Sequence, residues 1–122
     1  MNISNNTQIL LYQNSDGAIK LDVRLEDETV WLTQEQIGQL FAKAKSTISE
    51  HINNIFAEGE LLSSCCMKKF GNSEFQQKAP QYYNLDVIIS VGYRVKSKLG
   101  VEFRKWANSV LKDYLLKGYA LN

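Results

Sequence analysis

The sequence predicts an α+β chain, and three observations carry that prediction. Apolar and alternating stretches flank strong turn signals near the N-terminus and again past the middle. Two short helical patterns, each opening on a residue able to cap it, lie between them. The last third is helical throughout, a nearly continuous apolar segment followed by a longer amphipathic one.

The bounds come from length and composition. A chain of 122 residues is one domain, long enough to bury a core without staples. Its hydrophobic fraction of 44% and charged fraction of 22% are those of a globular protein. No apolar run approaches the ~20 residues that span a bilayer. The opening MNISNNTQ lacks the basic and apolar regions of a signal peptide, so a cytoplasmic location and no membrane partner are expected. Cys65 and Cys66 are the only cysteines and His51 the only histidine, without metal-ligand spacing. Adjacent cysteines pair poorly because their side chains diverge. They read as free thiols, and neither metal nor cofactor is expected. The net charge of +1 hides an asymmetry. Residues 1–30 hold two basic and five acidic side chains, whereas residues 92–122 hold seven basic and two acidic. Such a basic third can present a local positive face, although a solvated helix surface is its commoner meaning.

Gln8–Gln13 (QILLYQ) is a short apolar run, and Ala18–Leu25 (AIKLDVRL) alternates with the period of a half-buried strand. Asn14-Ser15-Asp16-Gly17 between them is a turn, since Asp-Gly tolerates positive φ. A β-hairpin follows, expected to cover the helical core and define a sheet edge. A second turn at Glu26-Asp27 leads to a third strand over Glu28–Leu32.

The segment Trp31–Phe56 organises the rest. Thr33 is an N-cap, and Gln36 three residues on completes a capping box. Ile37, Leu40 and Phe41 share one helical face. Ala42-Lys43-Ala44-Lys45 is the turn, and Ser46 can cap a second helix over residues 46–58. There Ile48, Ile52, Ile55 and Phe56 point inward while Thr47, Glu50, His51, Asn53 and Asn54 point outward. The tight turn usually needs a positive φ, and that slot falls on Ala42, where it costs about 1 kcal/mol. Either the turn is reshaped or the first helix runs on through AKAK. Gly59 fits the left-handed position after a helix, and Leu61 can fold back.

Cys65–Phe70 and Phe75–Tyr83 flank Gly71-Asn72-Ser73-Glu74 and read as a second hairpin. Pro80 lacks an N–H, so its strand is an edge or is bulged there. Asn84 caps a buried helix, LDVIISVGYRV, in which Asp86 suits the first turn and Gly92 suggests close helix packing. From about Val101 an amphipathic helix runs to Lys117. Phe103, Trp106, Ala107, Val110, Leu111 and Tyr114 form its core-facing stripe, and Gly118 ends it. The domain reading is therefore an N-terminal β-hairpin and strand (1–32), a helix pair with its hairpin (33–83) and a two-helix C-terminal unit (84–122).

Two short helices joined by a tight turn and followed by a hairpin form the plan of a winged helix-turn-helix, here with an N-terminal β-hairpin and a two-helix extension. In that plan the first turn of the second helix meets base edges in the major groove of double-stranded DNA. Thr47, Ser49, Glu50 and Asn53 are the candidates for base edges, and Asn53 can pair bidentately with adenine. Lys45, Ser46, Lys68 and Lys69 are candidates for phosphate, with Lys78 on the return strand. Arg94, Lys96 and Lys98 can extend the footprint. Glu50 repels phosphate but can accept from cytosine.

With these residues in view, the chain resembles the RhuM-type virulence protein family. The resemblance runs through TVWLTQEQIGQLF, STISEHINNIF, GEL and YYNLDVIISVGYRVKSKLGVEFRKWANSVLKDYLLKGYALN. The last part is also similar to the Bro-N domain of phage antirepressors, whose F-R-x-W pattern is matched here by Phe103, Arg104 and Trp106. The resemblance implies a bacterial or phage-borne regulator, or the N-terminal part of a longer effector protein, with a winged helix-turn-helix region that binds DNA. The sequence departs from the family's pattern at Ala42-Lys43, where a Gly-apolar pair is usual, and at Glu50, where a basic residue is frequent.

A rival reading is a protein-interaction or dimerisation module that keeps the helix-turn-helix shape. Glu50 and the near-neutral charge motivate it. A homodimer fits both readings, because such readers pair on half-sites. An enzyme is not expected. His51 has no evident partner, there is no phosphate-cradling glycine loop, and no small-molecule substrate is evident.

Overall fold

The computed structural model describes residues 7–70 and 80–121, with side chains described to Leu116. Strand β1 (Gln8–Gln13) pairs antiparallel with β2 (Lys20–Glu26), Gln8 opposite Leu25 and Gln13 opposite Lys20. Asn14 builds the turn between them. Its N–H donates to the Ile19 carbonyl at 3.1 Å, and its side-chain oxygen accepts the Ile19 N–H at 3.0 Å. Gly17 supplies the expected positive φ of 76°. Strand β3 (Thr29–Thr33) returns through Asp27 and Glu28, at φ 56° and 63°. Two successive positive φ values match the strand twist as in a type I′ turn.

Helix α1 (Gln34–Phe41) follows directly, then α2 (Lys45–Ala57) and a single turn α3 (Ser63–Cys66). Strands β4 (Met67–Lys69) and β5 (Gln81–Asn84), then helices α4 (Leu85–Val95) and α5 (Leu99–Leu121), complete the chain. The sheet is five-stranded in the order β1-β2-β3-β5-β4, with every neighbouring pair antiparallel. One sheet thus joins the two hairpins through β3 and β5.

Three expectations are corrected here. Cys65 and Cys66 lie in α3, and the strand begins only at Met67. Pro80 lies just outside β5, which is an interior strand. Having no N–H, Pro80 can serve the ladder only as acceptor, and its carbonyl takes the Phe70 N–H at 3.3 Å. Gly118 does not stop α5, which runs to Leu121. A glycine weakens a helix by about 1 kcal/mol without itself providing a terminator. The turn Gly71–Glu74, Phe75 and Lys78 lie outside the described residues.

The core lies between one sheet face and the helices. Leu21, Val23 and Leu25 of β2 alternate inward with Val30 and Leu32 of β3. They meet Ile37 and Leu40 of α1, Ile48, Ile52 and Ile55 of α2, Val87, Ile88 and Val91 of α4, and Phe103 and Ala107 of α5. Each such large side chain contributes about 1.5–3 kcal/mol. Phe41 fills the crossing of α4 and α5. A Cβ placed on Gly92 or on Gly100 would come within 3.1 Å of the Phe41 ring, so both glycines make room for it. Tyr12 closes the far end, edge-on to Phe103 and Trp106 at 5.0 Å each. Burial, reinforced by the charge of Glu102, pushes the Tyr12 hydroxyl up to about 12. No described helix is long and apolar enough to cross a membrane.

Candidate nucleic-acid interface

The α1–α2 pair is built from local signals. Thr33 Oγ1 accepts the Gln36 N–H at 3.2 Å, and Gln36 Oε1 accepts the Thr33 N–H at 2.9 Å, so the capping box forms as expected. The turn is kept short by Ala42, which takes the left-handed conformation at φ 56° and ψ 47°. Lys43 then donates to the Gly38 carbonyl at 2.9 Å. The reshaped turn and the prolonged first helix are both excluded.

Helix α2 starts one residue before the expected boundary. Its N-cap is Ala44, which has no side-chain cap bond, and Ser46 sits inside the first turn. That corrects Ser46 as the cap. The first turn of α2 also carries no acidic residue. Its N–H groups and the positive end of the helix dipole are complemented by no side chain of that turn, an arrangement that favours an anion.

Along α2, Ser46, Glu50 and Asn53 recur at spacings of four and three and are exposed, opposite buried Ile48, Ile52 and Ile55. Ser49 lies beside that stripe and is half-buried, as is Thr47 on its other flank. Lys45 is exposed at the start of the helix. The exposed stripe is thus short and polar, with Glu50 its one carboxylate. Lys43 in the turn and Asn54 on the flank are also exposed. Sequence reasoning did not single them out for contact, although their place between the apolar positions was legible.

The basic residues beyond α2 separate into distinct environments. Lys68 binds Asp27 at 2.6 Å across the sheet, with side chains 44% and 53% exposed, so the pair is open to exchange with another anion. Lys69, next to it on β4, is exposed. Lys96 and Lys98 are exposed in the α4–α5 turn, Lys96 at a left-handed φ of 56°. That turn lies between Gly92 and Gly100, the two residues against Phe41, so it sits at the α1 end from which Lys43 and Lys45 follow.

Arg94, which the sequence groups with Lys96 and Lys98, is engaged within the fold. Its guanidinium donates to Glu58 at 2.8 Å and to Glu60 at 2.7 Å, tying α4 to the loop after α2. Ser90 adds a donor to Glu60 at 2.7 Å. The Arg94 and Ser90 hydrogen bonds hold the Glu60 carboxyl below its ordinary value, and Glu58 and Glu60 raise Arg94. A guanidinium already satisfied by two carboxylates has little left for phosphate. The spacing of two between Arg94, Lys96 and Lys98 hides this, because the partners of Arg94 are more than 30 residues away.

The cysteines differ from the divergent pair expected. Cys65 is exposed and Cys66 buried, and their sulfurs approach to 2.9 Å without a disulfide. Burial, with the Cys65 hydrogen bond second, pushes the Cys66 thiol up to about 11. An open cleft of about 540 Å³ runs beside Cys65, Trp31 and Asn84, with Asp27 and Asp86 on its walls. Lys68 lines it too, paired with Asp27. Among the described residues no group of three or more His, Cys, Asp or Glu is placed to hold a metal ion.

Residues 63–122 match the family described as Virulence protein RhuM family. The match runs from α3 through α5. No curated protein and no solved structure matches the chain.

Proposed function

We propose that this chain, which matches the RhuM family over residues 63–122, is a DNA-binding module of the winged helix-turn-helix kind, with α2 in the major groove and the β4–β5 hairpin as its wing. The observation that carries the reading is the sheet order. Strand β5 lies between β3 and β4, so the strand entering the α1–α2 pair and the hairpin leaving it are hydrogen-bonded into one sheet. A wing requires such a link to the helix pair, so the sheet order supports the reading.

The chemistry of α2 supports the same reading. Its first turn favours an anion, Lys45 adds a cation there, and Ser46, Glu50 and Asn53 form a polar stripe able to exchange hydrogen bonds with base edges. Ser49 and Thr47, half-buried beside it, act at its margins. Lys69, Lys96 and Lys98 provide phosphate contacts, and Lys68 joins them by exchanging Asp27 for phosphate. Arg94 holds the scaffold and does not touch DNA.

Fluorescence-anisotropy titration of the chain against random duplex DNA at two salt concentrations tests this. Phosphate contacts release counterions, so affinity falls as salt rises, by roughly 0.9 in log–log slope per neutralised phosphate. Absence of binding at low salt contradicts the reading and leaves the protein-interaction module as its replacement.

A further inference from the structure

We propose that β1 is the interface of a symmetric dimer in which two copies of the chain join their sheets edge to edge, with Leu10 on the two-fold axis. The inference is independent of DNA binding.

The outer edge of β1 lacks the usual protections. QILLYQ holds no charge and no proline, and its pairing with β2 is continuous from Gln8 to Gln13, without a bulge. Ile9 and Leu11 are 57% and 59% exposed on the sheet face away from the helices. Among the described residues, no strand pairs with this edge. A short uncharged strand with β-forming side chains is a template for another strand.

The backbone states which residues are available. The Asn14 N–H points to Ile19 across the hairpin. In an antiparallel ladder that direction alternates, so Tyr12, Leu10 and Gln8 also point to β2, and Ile9, Leu11 and Gln13 point outward. The residues with free backbone groups on this edge therefore include those with exposed apolar side chains.

Charge then selects the register and the occupant. On the face carrying Ile9 and Leu11, β2 displays Lys20, Asp22, Arg24 and Glu26 in alternating sign, of which Arg24 and Glu26 are also paired with each other at 3.3 Å and contribute less to register than Lys20 and Asp22. Asp22 stands beside Leu11 and Arg24 beside Ile9. With Leu10 on the axis, Ile9 faces Leu11 of the second copy. Arg24 then shares a row with the second copy's Asp22, and Lys20 shares one with its Glu26. Moving the axis to Ile9 sets Arg24 against Arg24, and moving it to Leu11 sets Asp22 against Asp22. Of these three axes only Leu10 is complementary in every row, axes farther out at Gln8 or Tyr12 pair fewer residues of β1, and the complement is the chain's own sequence. The two β2 strands would be three strand spacings apart, about 14 Å. The charges therefore bias register in a salt-dependent way, while apolar contact and backbone bonds hold the pair. Six residues a side is smaller than the roughly 20–30 of a standard interface, so the dimer is weak and concentration-dependent.

Sedimentation equilibrium of the full chain tests the dimer, with circular dichroism confirming the fold of each variant. The wild type is expected to show a monomer–dimer equilibrium. Leu11→Lys is expected to raise the dimer dissociation constant at least tenfold with an unchanged melting curve, because Leu11 is outside the core. Asp22→Lys is expected to weaken dimerisation in low salt and to lose that effect in high salt. In a Cys65→Ser background, mild oxidation should cross-link Leu10→Cys, whose two copies are opposed, and not Leu11→Cys. A wild type that stays monomeric at all concentrations, or a Leu11→Lys chain that dimerises as well, overturns the interface. Cross-linking through Leu11→Cys instead, or through neither, overturns the register.

Discussion

Gly38 and Lys43 close the α1–α2 turn on each other. Lys43 donates its N–H to the Gly38 carbonyl at 2.9 Å, and the Lys43 carbonyl oxygen lies 2.8 Å from where a Cβ on Gly38 would sit. The close approach is between backbones, so no side-chain rotation relieves it. It sets how α2 leaves α1, and hence how α2 is presented on the sheet.

Gly38→Ala is therefore expected to destabilise the fold, although alanine is the better helix former by about 1 kcal/mol. Overpacking against a fixed backbone costs about 1–3 kcal/mol and outweighs that gain. Urea unfolding followed by circular dichroism should show a lower midpoint with an unchanged slope. A midpoint at or above that of the wild type contradicts the turn geometry.

Ala42→Gly is expected to act in the opposite direction. Ala42 holds a left-handed φ of 56°, which costs a residue with a Cβ about 1–2 kcal/mol. Glycine removes that strain but adds freedom to the unfolded chain, worth about 0.4–1 kcal/mol. The net expectation is stabilisation of about 0.5–1 kcal/mol, read as a higher midpoint in the same experiment. Ala42→Val should lower it.

Arg94→Ala separates scaffold from contact. The Glu60 carboxyl is held below its ordinary value of 4.5 by Arg94 and Ser90. A carboxylate whose folded pKa is depressed contributes stability above its unfolded pKa and loses it as pH falls through the folded one. Thermal melts should therefore show the wild type above Arg94→Ala at neutral pH, with the gap closing as the medium is acidified below that value. A gap independent of pH would assign the effect to packing of the Arg94 stem. Specific DNA affinity, measured where both proteins are folded, should be nearly unchanged.

Lys45→Ala tests the phosphate end of α2. It should weaken binding to specific and random duplexes alike and lower the salt slope by about 1. Anisotropy titrations across several salt concentrations measure both. A loss confined to one sequence would move Lys45 from phosphate to base contact.

What was legible in the sequence was what local chemistry encodes. Thr33 with Gln36, Asn84 before its helix, Gly59 at φ 77° and the Asp16-Gly17 turn each announce an element by a hydrogen bond or a φ preference. Ala42 belongs with them, since the turn's need for a positive φ could be counted onto it. The start of α2 was not legible. Ala44 caps it without a side-chain bond, and Ser46 two residues on is the stronger signal. The continuation of α5 through Gly118 was hidden because glycine near a helix end more often follows the helix than lies within it. Of the candidate contacts, the exposed stripe of α2 followed from periodicity. The diversion of Arg94 to Glu58 and Glu60, and of Lys68 to Asp27, depends on segments distant in sequence meeting in the fold, which periodicity does not reach.

The central claim is that α2 reads bases through its exposed stripe. Selection of bound duplexes from a random library, followed by sequencing, tests it for the wild type and for Asn53→Ala in parallel. The account predicts an enriched motif for the wild type. It predicts relaxed preference at one position for Asn53→Ala, equivalent to about 1–3 kcal/mol of lost discrimination there. Binding without any enriched motif, or a motif unchanged by Asn53→Ala, contradicts it.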